Sequence, residues 1–199
     1  MVDRPYATRP QQREAAMLGM FIFLATEIML FGGLFAVALG LRLGHPQEYV
    51  AASRQLHVWI GAANTAVLLT SSAAVALGVH IARAGRTRAT APLFAGAALL
   101  GLGFLGIKAY EYAIEYGEGL LLGGTGVQRL FMDLYLVSTG LHALHVTAGV
   151  LLLAGVAGIV ERRRLRLPRR AVVVENAGLF WHLVDAIWVF LYPVLYLAR

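Results

Sequence analysis

The chain has 199 residues, of which 59% are hydrophobic and 14% charged, with a mean hydropathy of +0.69. Soluble domains carry about 25% charged residues, so an ordinary soluble domain is excluded, and apolar runs able to cross a hydrocarbon core about 30 Å thick recur along the chain. The formal charge of +6 comes from arginines gathered between those runs, which sets membrane topology rather than nucleic-acid binding, and the lack of cysteine excludes disulfides, Cys-ligated zinc, iron–sulfur clusters and thiolate-ligated copper.

The expected fold is all-α: a polytopic transmembrane helix bundle of five spans, forming a single membrane domain over residues 1–199. A polar leader with Arg4, Arg9 and Arg13 precedes a first span at about 15–41. That span is much longer than a signal-peptide core and carries Glu27, so it is read as mature sequence. Glu27 lies about 18 Å into the span at about 1.5 Å per residue, near mid-membrane. Its neighbours at i±3 and i±4, Phe23, Leu24, Leu30 and Phe31, are apolar, so its own helix offers no partner. Two readings stay open: a proton-relay or gating carboxyl, and a neutral acid hydrogen-bonded to a neighbouring helix.

A loop around Gly44, His45 and Pro46 leads to the second span, about 56–82. His57, Trp59 and His80 lie near its ends and read as interfacial, whereas Asn64 is deep enough to seek a helix–helix hydrogen bond. Arg83, Arg86 and Arg88 follow, and Pro92 suits the first turn of the third span, about 91–114. This span ends with Lys108, Glu111 and Glu115, where Lys108 can pair at i+3 or i+7 along the membrane interface. Small residues four apart, Ala97 with Gly101 and Ala154 with Gly158, would allow close helix packing.

A glycine-rich stretch from Gly117 to Gly126 joins the fourth span, about 130–160, in which Ser138, His142, His145 and Gly149 form one polar stripe. His142 is expected close to the depth of Glu27, with His145 nearer the cytoplasm. A basic loop, Arg162, Arg163, Arg164, Arg166, Arg169 and Arg170, reads as a lipid-headgroup anchor or as a docking site for a cytoplasmic partner. The fifth span, about 174–197, carries Glu175, His182 and Asp185 beside an aromatic stripe of Trp181, Trp188 and Tyr192. Twelve arginines fall in the leader and the second and fourth connections, against Arg42, Arg54, Arg129 and Arg199 on the other side. The positive-inside rule then predicts a cytoplasmic N-terminus and an outside C-terminus.

Intramembrane ionisable groups persist only where a bundle interior, cavity or partner satisfies them. Imidazoles near one depth allow a metal or a bis-histidine haem between His142 and His182. The reading preferred over these is structural hydrogen bonding between helices, including a His182–Asp185 pair at i, i+3.

Several of these segments resemble subunit III of haem–copper oxidases. Trp181-His182-Leu183-Val184-Asp185-Ala186-Ile187-Trp188-Val189-Phe190-Leu191-Tyr192 is similar to that family's W-H-F-V-D-x-x-W-x-F-L-Y closing helix. Thr139-Gly140-Leu141-His142-Ala143-Leu144-His145-Val146 resembles its T-G-F-H-G-L-H-V. Thr26-Glu27-Ile28-Met29-Leu30-Phe31 resembles S-E-V-M-F-F, and Ala109-Tyr110-Glu111-Tyr112 resembles A-S-E-Y. The resemblance runs through the five spans in order. It implies a non-redox subunit of a respiratory terminal oxidase of the cytochrome c oxidase type, with quinol oxidases and nitric oxide reductase companions as alternatives. Such a subunit has no catalytic centre or metal of its own. Haem and copper are expected in partner subunits I and II, with direct packing on subunit I, bound phospholipid, and support of proton uptake while the complex reduces oxygen to water and pumps protons. The setting implied is a bacterial-type cytoplasmic membrane. Glu27, Glu111, His142, His145, Glu175, His182 and Asp185 are then expected at helix or subunit contacts or against lipid. The family's long form has seven spans and this chain matches from the third, so the other half of a lipid cleft would be absent or come from another chain. Lys108, where a neutral residue is usual, and Pro193 also depart from the pattern.

Overall fold

A computed structural model describes residues 8–85, 87–121, 123–162, 167 and 171–198, the side chains of Arg9 and Thr87 excepted. Arg4, Arg86, Arg163, Arg164, Arg166, Arg169, Arg170 and Arg199, on which part of the topology argument rests, lie outside the described residues.

Every regular element is helical among those residues: α1 (Arg9–Gly44), α2 (Pro46–Ser53), α3 (Val58–Arg83), α4 (Thr87–Gly117), α5 (Gly126–Glu161) and α6 (Ala171–Tyr196). All but α2 are long and apolar enough to cross a membrane. The helices start where local chemistry permits. Thr8 caps α1 by accepting from the Gln11 amide, and proline stands in the first turn of both α1 and α2, where a missing N–H costs nothing. Pro92 is a correction to the sequence reading. It lies inside α4, which begins at Thr87, so it removes a single bond near the helix start instead of marking the start itself.

The short helix α2 stands where the sequence pattern suggests a loop, and its packing explains it. Tyr49 Oη donates to the Val194 carbonyl (2.9 Å) and Ser53 Oγ to that of Leu195 (2.6 Å). Both acceptors belong to the last turn of α6, whose carbonyls have no partner within the helix. Helix α2 thus closes the end of α6, and Tyr49 stacks edge-on against Phe131 of α5. Burial pushes the Tyr49 hydroxyl up to about 12, against an opposing pull from Arg42, so it stays a donor.

Four spans form a closed ring: α3 packs on α4 and α6, and α5 packs on the same two, while α1 lies outside against α5 and α6. The ring is filled by aromatic side chains, with Trp181 and Trp188 wholly buried. Trp181 reaches across it because two glycines make room. A Cβ at Gly149 would stand 2.6 Å from the Trp181 ring, and one at Gly101 would stand 2.7 Å from it. The Ala97–Gly101 pair is therefore a packing site; at Gly158, by contrast, an added Cβ meets nothing within 4 Å.

Candidate functional site: a buried polar belt

The ionisable groups of the spans fall into three levels, named here by the ends of α6. At its N-terminal end, Glu175 is buried and bonded by two arginines from different helices, Arg13 of α1 (3.0 Å) and Arg83 of α3 (2.8 Å). Both arginines are about 60% exposed, so the clamp sits at the edge of the helix bundle with its carboxylate turned inward. Burying the one carboxylate between two forked cations ties α1 and α3 to α6.

At the middle level Glu27 finds its partner across the seam between α1 and α5: Glu27 Oε2 is 2.8 Å from His145 Nε2. The partner is His145, although the sequence reading puts His142 nearer the depth of Glu27, because α1 packs on the outside of α5, where His145 points. His145 Nδ1 donates to the Leu141 carbonyl (2.8 Å), which can only accept. The bond to Glu27 is therefore either imidazolium to carboxylate or carboxylic acid to imidazole, and in both forms the pair is neutral overall with one proton between the two atoms. At 14% and 12% exposure the two side chains are shielded by Phe31, whose ring meets His145 edge-on.

The other imidazoles turn elsewhere. His142 is wholly buried, stacked on Trp188 at 5.2 Å and met edge-on by Phe104, with no hydrogen bond on either ring nitrogen. His182 Nδ1 bonds Ser72 Oγ of α3 at 2.7 Å. The expected His182–Asp185 pair is not formed: His182 faces α3, and Asp185 is buried with neither oxygen hydrogen-bonded, the Ser72 hydroxyl lying within its electrostatic reach. Nor do His142 and His182 face one another as bis-histidine ligands would. Asn64 also departs from expectation, being buried without a hydrogen bond. Among the described residues no three His, Asp or Glu side chains converge as a metal-ligating group.

The third level, near the C-terminal end of α6, bears out the pairing of Lys108 with Glu111 at i+3 and corrects its setting. Lys108, Glu111 and Glu115 were placed along the interface, yet Lys108 is 2% exposed and both glutamates are fully buried. The cause is Tyr135 of α5 and Tyr196 of α6, which close over the end of α4. Lys108 Nζ donates to Glu111 Oε2 (2.9 Å), Tyr135 Oη (2.8 Å) and Tyr196 Oη (2.6 Å). Tyr196 donates to Glu111 Oε1 (2.9 Å). Tyr135 donates to Glu115, its oxygen 2.8 and 2.9 Å from the two carboxylate oxygens. The ammonium also lies over the rings of Tyr112 and Tyr135, at 4.8 and 4.6 Å. Beside it, Tyr112 and Thr139 share a 2.5 Å hydrogen bond. The i, i+3, i+7 spacing on α4 was the available signal; the two tyrosines that bury it come from 27 and 88 residues away.

Such a site defines a class: a polytopic helical membrane protein whose intramembrane charges are spent largely on holding helices to one another. The family model described as Cytochrome c oxidase subunit III matches residues 8–198. The chain belongs to that family. It is 32% identical over 181 residues to a cytochrome c oxidase subunit 3 of Thermostichus vulcanus, covering 91% of this chain and 86% of that protein. A quinol oxidase subunit 3 of Bacillus spizizenii is 30% identical over the same shares, and a probable cytochrome c oxidase subunit 3 of Mycobacterium bovis is 29% identical over 92% and 87%.

Proposed function

We propose that this chain is the subunit III of a haem–copper terminal oxidase of the cytochrome c oxidase type, a single membrane domain that packs directly on subunit I beside subunit II. It supports assembly, phospholipid binding and proton uptake of a complex that reduces oxygen to water and moves protons outward. The observation that carries this is the family match along nearly the whole described chain. The geometry agrees with a role without redox chemistry: His145 is committed to Glu27, His182 to Ser72, and His142 to an aromatic stack. Haem and copper then belong to the partner subunits. The arginine distribution puts the Arg13–Arg83–Glu175 end in the cytoplasm and the Lys108 end outside, in a bacterial-type cytoplasmic membrane.

Co-purification with subunits I and II tests the reading, together with the visible spectrum of the chain purified alone. Retention in an active oxidase and an isolated chain without a Soret band are expected; a Soret band from the isolated chain overturns it. Relatives named for both cytochrome c and quinol oxidases make the donor a second question. A copper-binding domain in the co-purified subunit II assigns cytochrome c, and its absence assigns quinol.

A further inference from the structure

Charge counting singles out the Lys108 cluster. One ammonium meets two carboxylates, Glu111 and Glu115, all three side chains out of contact with solvent. The groups facing them are phenols: Tyr112 of α4, Tyr135 of α5 and Tyr196 of α6. No arginine or second lysine bonds either carboxylate among the described residues. With both carboxylates ionised the pocket would hold one uncompensated negative charge inside an apolar bundle, a state that burial strongly disfavours.

The hydrogen bonds show where that charge is least compensated. All three Lys108 N–H donors are used, one on Glu111 and two on tyrosines. Glu111 thus receives a cation and, from Tyr196, a phenol. Glu115 receives one neutral donor, the Tyr135 hydroxyl, shared between its two oxygens. Glu115 is also the member nearest the end of α4. Glu118 follows one turn later, half exposed and 3.4 Å from His57, which is a third exposed and within electrostatic reach of Glu115.

We propose that Glu115 is a proton-binding site, charged and discharged from the adjacent aqueous face through His57 and Glu118. One proton from water adds to a Glu115 oxygen, the pocket passes from a net charge of −1 to zero, and no electron moves. Lys108 and Glu111 stay a hydrogen-bonded ion pair throughout, and Tyr135 holds the accepting carboxyl in place.

Infrared difference spectroscopy on the intact purified complex, between acid and alkaline buffer, tests this. A carboxylic-acid C=O band that shifts down in D2O is expected, and it is lost in Glu115→Gln. It is also lost in Glu111→Gln, where Lys108 alone balances Glu115. Tyr135→Phe keeps the band and moves its frequency, since the bond to the carboxyl is gone. His57→Ala lies outside the buried cluster and tests the route even if the core variants fail to assemble: it slows the H/D shift of the band without removing it. An infrared spectrum with no pH-dependent carboxyl band assignable to Glu115 overturns the proposal. So does a band retained in Glu111→Gln, or a band replaced by a sodium-dependent change, which would make the compensating cation a metal ion. An H/D shift in His57→Ala as fast as in the unaltered chain overturns the route.

Discussion

The Lys108 cluster and the Glu27–His145 pair both put ionisable groups among apolar helices, yet they are built to different standards. The cluster lies inside the helix ring, joins α4, α5 and α6, and uses every donor of its ammonium. The pair lies on the α1 seam, joins two helices, and keeps some exposure on both partners. Inside the ring no solvent or lipid headgroup can compensate an unmet charge, so side chains must. At the seam a neutral two-residue pair suffices, and whatever covers α1 in an assembled complex can add to it. The Glu175 clamp stands between these cases, with a buried carboxylate and largely exposed cations.

Four substitutions rank these sites. Lys108→Met should cost the most, about 3–5 kcal/mol, because it strands two buried carboxylates. Thermal denaturation of the complex, with the amount of this subunit retained, measures it. Tyr135→Phe removes the donor to Glu115 and one of the three acceptors of the ammonium but leaves the positive charge in place, and about 1–3 kcal/mol is expected by the same measurement. A cost equal to that of Lys108→Met would mean that the phenol and not the cation holds the cluster. Glu175→Gln keeps one acceptor oxygen but puts an amide N–H2 where the other oxygen accepted from Arg13. Because both arginines are largely exposed, the loss should stay at about 1 kcal/mol and shrink as salt is raised. A salt-independent loss as large as that of Tyr135→Phe would place this clamp with the interior sites. Glu27→Ala should change least: the haem spectrum and initial oxygen reduction of the assembled complex stay near those of the unaltered protein. Loss of the haem spectrum in that variant would show that the seam supports the redox core.

Much of this organisation was legible in the chain. Length and hydropathy alone mark five spans, since nothing shorter satisfies the backbone across a bilayer. Helices α1, α4 and α5 extend past the apolar window at both ends, because the helical backbone continues through polar flanking residues such as Arg13 and Arg88. Periodicity also put His142 with His145, and Lys108 with Glu111 and Glu115, on common faces. Periodicity does not say which helix a face meets. Adjacent residues of the α5 stripe separate for that reason: His145 turns outward to α1, while His142 turns inward onto Trp188. Helix α2 escaped notice because its helical state rests on capping α6, more than 140 residues away.

The sequence by itself determined the membrane class, the number of spans, the family and the identity of the polar groups, because these follow from composition, local spacing and motif. Only the tertiary structure decided their pairing: Glu27 with His145, His182 with Ser72, Glu175 with two arginines, and Lys108 with tyrosines from α5 and α6. Hydrogen bonds and ion pairs act over about 3 Å, and partners from separate helices reach that range only after the ring has closed.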